Sequence, residues 1–331
     1  MARVGIVGLG FIGRVHLATL RKTDLADVVA VADKVPSNLE EPGPKAGNIP
    51  IGTGSSALAG IATYDNGDAL LADPQVEVAL IALPTYLHKE FVLKALDAGK
   101  HVICEKPLAL TATQGEEILQ AAAQSEPLLF VAHCIRFWPA YVAAREIIKR
   151  ETYGSVLRAH FARVSPKPRW SWQGWLMDQD KSGGALLDLH IHDVDYVNDV
   201  FGRPDSIVAE ATRDPMQGVG DVMATYRYDG GPLVTLEGSW VQHAAYPFRM
   251  SFRIVCEKAT LQFDTLIDGR LRVYPAQGGT LTPEISQEDG YACEHRYFFD
   301  CMAAGRPPER VTVQSSCEAL ALVEDEKRCI M

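Results

Sequence analysis

Asp188 and His192 stand four residues apart in the segment Gly183-Gly184-Ala-Leu-Leu-Asp188-Leu-His190-Ile-His192-Asp193-Val-Asp195. On a helix that spacing places both side chains on one face. A carboxylate beside an imidazole raises its proton affinity and fixes its orientation, which is a workable general base for a hydroxyl proton. A second group that could do chemistry is Cys104-Glu105-Lys106-Pro107. Lysine there can face a developing negative charge, although a strand-end lysine is more commonly a solvated cation. His190 points elsewhere on the helix and reads as structural. A metal centre built from His190, His192, Asp193 and Asp195 is the rival reading. On one α-helix, however, His190 and His192 lie about 200° apart and do not easily grip one ion, so no metal is expected.

These groups need a cofactor site and a scaffold, and the start of the chain supplies both. Ile6 to Gly13 read Ile-Val-Gly8-Leu9-Gly10-Phe11-Ile12-Gly13, an apolar strand running into Gly-x-Gly-x-x-Gly and then a helix from Arg14 to Arg21. Gly8 permits the tight turn, Gly10 allows backbone to approach a pyrophosphate, and Gly13 lets the helix pack close to the strand. The second strand, Val28–Ala32, ends in Asp33, twenty residues after Gly13. A carboxylate there accepts the adenosine ribose hydroxyls and repels a 2′-phosphate, so NAD is favoured over NADP. Lys34 follows and offsets part of that repulsion, which keeps NADP as the alternative.

Strands and helices alternate from Ala2 to Cys134. Strands are expected at Val76–Leu83, His101–Cys104 and Leu128–His133, with helices at Tyr86–Ala98 and Thr111–Gln124. The alternation implies an α/β Rossmann domain with a doubly wound parallel sheet over 1–134, with Lys106 at the carboxyl end of its fourth strand, where ligands bind. Pro36 to Gly54 holds four prolines and four glycines and reads as an irregular loop. From 135 to 331 the pattern changes to an α+β domain. A helix at Pro139–Arg150 leads to a strand at Val156–Val164, and one helix runs from Gly184 to Phe201. Strands then follow at Ser206–Thr212, Val222–Tyr228, Leu233–Val241, Phe248–Cys256, Thr260–Phe263 and Arg270–Tyr274. Asp229-Gly230-Gly231 suits a hairpin turn. The sum is a large, mostly antiparallel sheet with one open face, a natural self-association surface.

The chain has 331 residues, 47% of them hydrophobic, enough for two cores. A formal charge of −10 gives no support for nucleic-acid or membrane binding. No apolar run reaches transmembrane length and no signal-peptide pattern opens the chain, so a cytoplasmic location is expected. Seven cysteines without metal-like spacing read as free thiols in a reducing compartment, Cys104 as a buried small residue.

Taken in order, these motifs resemble those of the Gfo/Idh/MocA oxidoreductases, the family of glucose–fructose oxidoreductase and inositol dehydrogenase. The resemblance runs through Gly8 to Gly13 with His16, Pro84-Thr85-Tyr-Leu-His88, Ala98 to Leu108, Arg136-Phe-Trp-Pro139, and Gly183-Gly184 through Asp188 to His192 and Asp193. The Glu-Lys-Pro motif and the later Asp-x-x-x-His are specific to the family; the glycine motif is not. The resemblance implies a catalytic group of Lys106, Asp188 and His192. It implies a cofactor lining of Gly8, Gly10, Phe11, Ile12, Gly13, Asp33, Pro84, Thr85, His88, Glu105 and Lys106. It also implies a sugar or cyclitol substrate held by Lys106, Asp188 and His192, and a homodimer or homotetramer formed through the open sheet face. The Pro36–Gly54 loop departs from the helix usual there.

The substrate is least defined. Arg169-Trp170-Ser-Trp172-Gln-Gly-Trp175 precedes the catalytic helix and reads as a loop over the site. Trp170 is chosen as a platform for a sugar ring's C–H face, while Trp172 and Trp175 are read as pinning the loop to the core. Arg136 and His133 approach the site or serve domain packing. The leading function is an NAD(P)-dependent dehydrogenase of a sugar or polyol hydroxyl. The alternatives are a non-catalytic NAD(P)-binding sensor and a metal hydrolase.

Overall fold

Short, almost wholly buried strands separated by helices produce the expected parallel sheet in the first part of the chain. The computed structural model describes residues 1–40, 47, 58–214 and 218–330. Six strands, β1 (Ala2–Val7), β2 (Ala26–Ala32), β3 (Ala62–Tyr64), β4 (Val78–Ile81), β5 (His101–Glu105) and β6 (Leu129–Ala132), lie in the order 3-2-1-4-5-6. All described neighbours are parallel. The helices are α1 (Phe11–Thr23), α2 (Pro36–Glu40), α3 (Gly67–Leu71), α4 (His88–Asp97) and α5 (Ala112–Ala123). The strand order reverses between β1 and β4, which makes the carboxyl ends of these two strands the ligand crevice of a doubly wound sheet.

Three details differ from expectation. The short edge strand β3 intervenes, so the strand before Lys106 is the fifth. Residues 36–40, expected as loop, form the one-turn helix α2, and the rest of the Pro36–Gly54 stretch lies outside the described residues apart from residue 47. A helix near the far end of the chain, α9 (Gly290–Ala303), also joins this unit. The chain divides into Met1–Cys134 with Gly290–Cys317, and Ile135–Asp289 with Glu318–Met331. The helix joins because its buried face fits the Rossmann unit: Phe298 packs on Phe130 with centroids 5.3 Å apart, and His295 hydrogen-bonds His16. The first compact unit thus takes in 290–317 as well as 1–134.

The second unit is built on a seven-stranded sheet: β7 (Val156–Pro166), β8 (Ser206–Asp214), β9 (Gly218–Arg227), β10 (Leu233–Gln242), β11 (Arg249–Cys256), β12 (Ala259–Asp264) and β13 (Arg272–Pro275). The order is 13-12-11-7-10-9-8, antiparallel throughout except where β7 lies parallel to β10. Between β9 and β10 the expected turn forms, with Gly230 at φ +69°. Alternation along each strand sends Phe161, Tyr226, Leu236, Phe252 and Leu261 to one buried face. Helices α6 (Pro139–Lys149), α7 (Gln179–Ser182), α8 (Ile191–Phe201) and α10 (Val313–Ile330) complete the elements. Tyr141 of α6 meets Tyr196 of α8 and Phe252 edge-on, at 4.9 and 5.0 Å. The opposite face of the sheet leaves Val208, Met223 and Tyr274 exposed, beside polar neighbours such as Glu237 and Arg253.

Helix α8 carries its acids into the interior. Asp193 pairs with Arg163 through two hydrogen bonds of 3.0 and 3.1 Å, and both residues are essentially inaccessible. Asp195 is gripped the same way by Arg136, and Asp199 pairs with Arg145. Removing one partner of such a pair strands a charge in a medium that cannot solvate it. Arg163→Met is therefore expected to cost about 3–5 kcal/mol of unfolding free energy. The double change Arg163→Met with Asp193→Leu should recover most of it, as measured by urea denaturation.

Candidate active site

The glycine loop is shaped by close approach. Gly8 has φ +96°, and a Cβ there would sit 2.5 Å from the Ala82 carbonyl oxygen. A Cβ on Gly13 would lie 2.0 Å from the Gly8 carbonyl oxygen, so any side chain would push α1 off β1. Gly10 is different: among the described residues nothing lies within 4 Å of its would-be Cβ, and α1 begins there with no side-chain cap from a described residue. A helix start that leaves Gly10 this accessible suits a pyrophosphate, which the partial positive charge of the helix N-terminus attracts. Phe11 and Ile12, half-buried, form the first turn.

Asp33, at the end of β2, is already engaged. Its Oδ2 accepts the Leu9 N–H at 2.8 Å and the Asn38 side-chain amide at 2.9 Å, and its Oδ1 accepts the Val35 N–H at 2.8 Å. A carboxylate offers about four acceptor positions. Asp33 thus holds the glycine loop in place and keeps one position, on Oδ1, for a ribose hydroxyl; accepting a second requires Asn38 to move. Asn38 is buried, and its carbonyl takes the Arg14 guanidinium at 2.7 Å. Sequence reading passed over Asn38 because it falls in the stretch read as loop.

At the end of β4, Pro84 leads into a short turn, Thr85–Leu87, in which Thr85 is buried. His88 is buried too, with Nδ1 2.7 Å from the Pro107 carbonyl and Nε2 2.7 Å from the Leu83 carbonyl. Burial pushes its pKa down, against the pull of these two carbonyls. A neutral ring carries one N–H, so it donates to one of these two carbonyls while its other nitrogen lies against the second. Glu105 ends β5, buried, with Oε1 2.7 Å from His16 Nε2 and Oε2 accepting the Lys106 N–H at 3.1 Å. Burial pushes its pKa up, but the His16 hydrogen bond and the Lys106 charge beside it outweigh that and hold it below the ordinary carboxylate value. Lys106 is half-exposed in a stretch whose neighbours are buried, and its bond to Pro107 is cis.

In the second unit, the expected single helix from Gly184 to Phe201 is two pieces. Ala185–Leu189 is a π-turn closed by the His190 N–H donating to the Ala185 carbonyl at 2.9 Å, and α8 starts at Ile191. The i→i+5 bond inserts one extra residue, so Asp188 and His192 are related across a π-to-α junction rather than by one α-helical turn. Such bulges recur at functional sites. From Ala185 to Asn198 every residue is buried except Asp188 and His192. His190 is fully buried, with Nε2 3.1 Å from Glu326 Oε1, which also accepts the Tyr226 hydroxyl at 2.8 Å. Asp193 and Asp195 are taken by arginines and His190 by Glu326, which leaves this segment no set of ligands for the metal reading. Among the described residues, a group with metal-like spacing is His16, Glu294 and His295 in the first unit.

Trp170 and Trp175 are both half-buried against a cluster of Leu176, Ala185, Leu189 and Trp240. Trp170 and Trp175 thus pack on one cluster, which includes Ala185 and Leu189 of the π-turn that carries Asp188. Arg136 lies in its ion pair with Asp195, and His133 is buried.

Comparison with known proteins accounts for this arrangement. Residues 2–133 match the NAD-binding Rossmann fold of the Gfo/Idh/MocA oxidoreductases, and residues 141–262 match that family's C-terminal domain. The chain belongs to the Gfo/Idh/MocA family. It is 30% identical to trans-1,2-dihydrobenzene-1,2-diol dehydrogenase of Mus musculus, over 98% of this chain and 96% of the relative. It is 25% identical to myo-inositol 2-dehydrogenase of Thermotoga maritima, over 92% and 90%. Levoglucosan dehydrogenase in complex with NADH and levoglucosan superposes with a TM-score of 0.84 at 20% identity, covering 99% of this chain and 96% of that one, a likeness of fold. The protein is an NAD-dependent oxidoreductase of this family. No helix among the described residues is long and apolar enough to cross a membrane.

The buried His190–Glu326 pair carries a pH signature. Burial pushes the His190 pKa down, but the Glu326 charge and hydrogen bond outweigh it and raise the pKa above the ordinary value. A histidine raised on folding contributes stability in full below its unfolded pKa of about 6.5, and that contribution is lost as pH rises through the folded value. The thermal midpoint should therefore fall as pH climbs above neutrality. His190→Gln should flatten that part of the profile in calorimetric scans.

Proposed function

We propose that the protein oxidises a secondary hydroxyl on the ring of a sugar or cyclitol, using NAD in preference to NADP. The observation that carries this reading is selective exposure. In an otherwise buried fourteen-residue run, only the acid and the imidazole of the Asp-x-x-x-His pair reach the surface, and Lys106 does the same at the end of β5. A pure binding module has no use for a base presented this way. The two dehydrogenase relatives whose names specify a ring diol and a ring polyol support the substrate class.

NAD, which the glycine loop and Asp33 would hold, would supply the hydride acceptor for the carbinol carbon. His192 takes the hydroxyl proton, and Asp188 stabilises the imidazolium that results. Lys106 places positive charge toward the oxygen on which negative charge develops, worth most where water is excluded. In the reverse direction His192 is the acid. The aromatic surface of Trp170 serves the C–H face of the ring.

A panel of sugars, cyclitols and linear polyols, assayed with NAD and NADP for reduced-cofactor absorbance, tests the reading. Failure to reduce either cofactor with any member would favour a non-catalytic sensor of the same fold. Lys106→Ala should lower kcat by about several hundredfold while NADH still binds, since a lost oxyanion-stabilising charge costs about 3–4 kcal/mol. His192→Asn should lower oxidation severely and flatten the acidic limb of the kcat/KM profile. Asp188→Asn should do less harm and move that limb to lower pH, because the imidazolium loses its partner. If the limb stays in place in His192→Asn, another group is the base.

Asp33→Ser should narrow or invert the NAD-to-NADP ratio of kcat/KM. The outward sheet face with Val208, Met223 and Tyr274 is the surface we assign to self-association. Sedimentation should find a homodimer or homotetramer, and Met223→Glu should shift it toward monomer.

A further inference from the structure

We propose that His295 is a positioning residue for the strand-end turn that carries Lys106, acting through His16 and Glu105. The inference rests on the reading of Lys106 given above, but its geometry stands alone. His295 lies 279 positions after His16 in the chain, on α9, and its Nε2 comes within 2.8 Å of His16 Nδ1. The two rings are nearly coplanar, 25° apart with centroids 4.9 Å from each other, so the contact runs along the in-plane lone-pair direction. Tyr291, one turn earlier on α9, closes the other side of His16 edge-on at 5.8 Å. His16 and His295 are fully buried and Glu105 nearly so.

Proton bookkeeping gives the chain a direction. Glu105 is held as a carboxylate and can only accept, so His16 Nε2 carries a hydrogen and donates it to Oε1. A neutral His16 then has a lone pair on Nδ1, and His295 must donate its Nε2–H to it. Burial drives the His295 pKa well down, which keeps that ring neutral with a single N–H to give. This leaves His295 Nδ1 as a buried acceptor with no partner. Were His16 protonated on both nitrogens, His295 Nδ1 would instead be a buried donor without a partner, a rarer and costlier defect. The result is one series of donors: His295 Nε2 to His16, His16 Nε2 to Glu105 Oε1, and the Lys106 N–H to Glu105 Oε2. Glu105 is thereby fixed from one side by the histidines and from the other by the backbone of Lys106. A residue that keeps an unpartnered buried nitrogen has a use for the other one, and this series is that use.

The test uses the whole protein and two substitutions. In His295→Gln the amide nitrogen reaches roughly where Nε2 was and can still donate to His16, whereas His295→Leu cannot. Long-range nitrogen–proton NMR of histidine-labelled protein, with His16 and His295 assigned by difference, should find both rings neutral with the hydrogen on Nε2. His295→Leu should change the His16 pattern, and His295→Gln should keep it. In kinetics, His295→Leu should lower kcat about tenfold, the scale of one lost buried hydrogen bond, with NADH affinity changed less than about threefold; His295→Gln should recover most of the rate. Equal rates in the two variants and wild type, or a His16 pattern unmoved by His295→Leu, would overturn the proposal. So would stoichiometric zinc in the purified protein, because His16 Nδ1 would then be a metal ligand beside Glu294 and His295. If no substrate turns over in wild type, the assignment of function fails while the NMR comparison still decides this one. If His295→Leu does not fold, the wild-type tautomers and the rate of His295→Gln decide it.

Discussion

A buried aspartate needs a buried cation, and along α8 that requirement is met twice, by Arg163 for Asp193 and Arg136 for Asp195, while the half-buried Asp199 pairs with Arg145. The helix cannot rotate about its axis without stranding at least one of these charges. Its orientation is therefore decided by electrostatics as much as by the apolar packing of Val194, Tyr196 and Val197. Because the acids face inward, the side that remains for chemistry carries His192, and the π-turn before it brings Asp188 outward as well. Such pairs contribute little net stability compared with apolar replacements, and their value lies in register. A helix held only by leucines could slip; this one is indexed by its charges.

The Rossmann unit applies the same logic with hydrogen bonds. Gly8 and Gly13 let β1 and α1 approach until no Cβ fits between them, and Asp33 then ties the loop to β2 through the Leu9 N–H. His88 sits between the Leu83 and Pro107 carbonyls and donates to one of them, and Glu105 links His16 to the Lys106 backbone. Each of these groups borders the place where the strand order reverses, so the crevice floor is rigid before any cofactor arrives. That rigidity is what electrostatic stabilisation of a short-lived charge demands, since donors that must reorganise contribute far less.

Family membership fixes the cofactor chemistry and leaves the substrate to local detail. A relative 31% identical over 73% of this chain is named as a hydratase of 2,7-anhydro-N-acetylneuraminate, whereas others are named as dehydrogenases of a dihydrodiol and of myo-inositol. One scaffold thus supports several named activities. In this chain Trp170 and Trp175 stand on the segment before the π-turn, where Gln173 and Gly174 both adopt positive φ. Function belongs to such sites and not to the fold.

The sequence alone determined the two-unit architecture, nearly every strand of both sheets to within a few residues, and the three groups on which the proposed chemistry rests. It could do so because period-two alternation and glycine spacing are local properties. Other features were decided only by tertiary structure. Strand β3 is three residues at a sheet edge, too short and too exposed to stand out. Helices α9 and α10 bury Glu294, His295, Ser316 and Glu326, polar residues that break the apolar period because their partners come from elsewhere in the chain. The π-turn hides for a related reason: one inserted residue leaves composition unchanged and alters only which carbonyl each N–H finds. His16 was visible as part of a motif, but its role depended on a ring 279 positions away. Pairing across such distances is settled when the core closes, by whichever buried donor and acceptor satisfy each other.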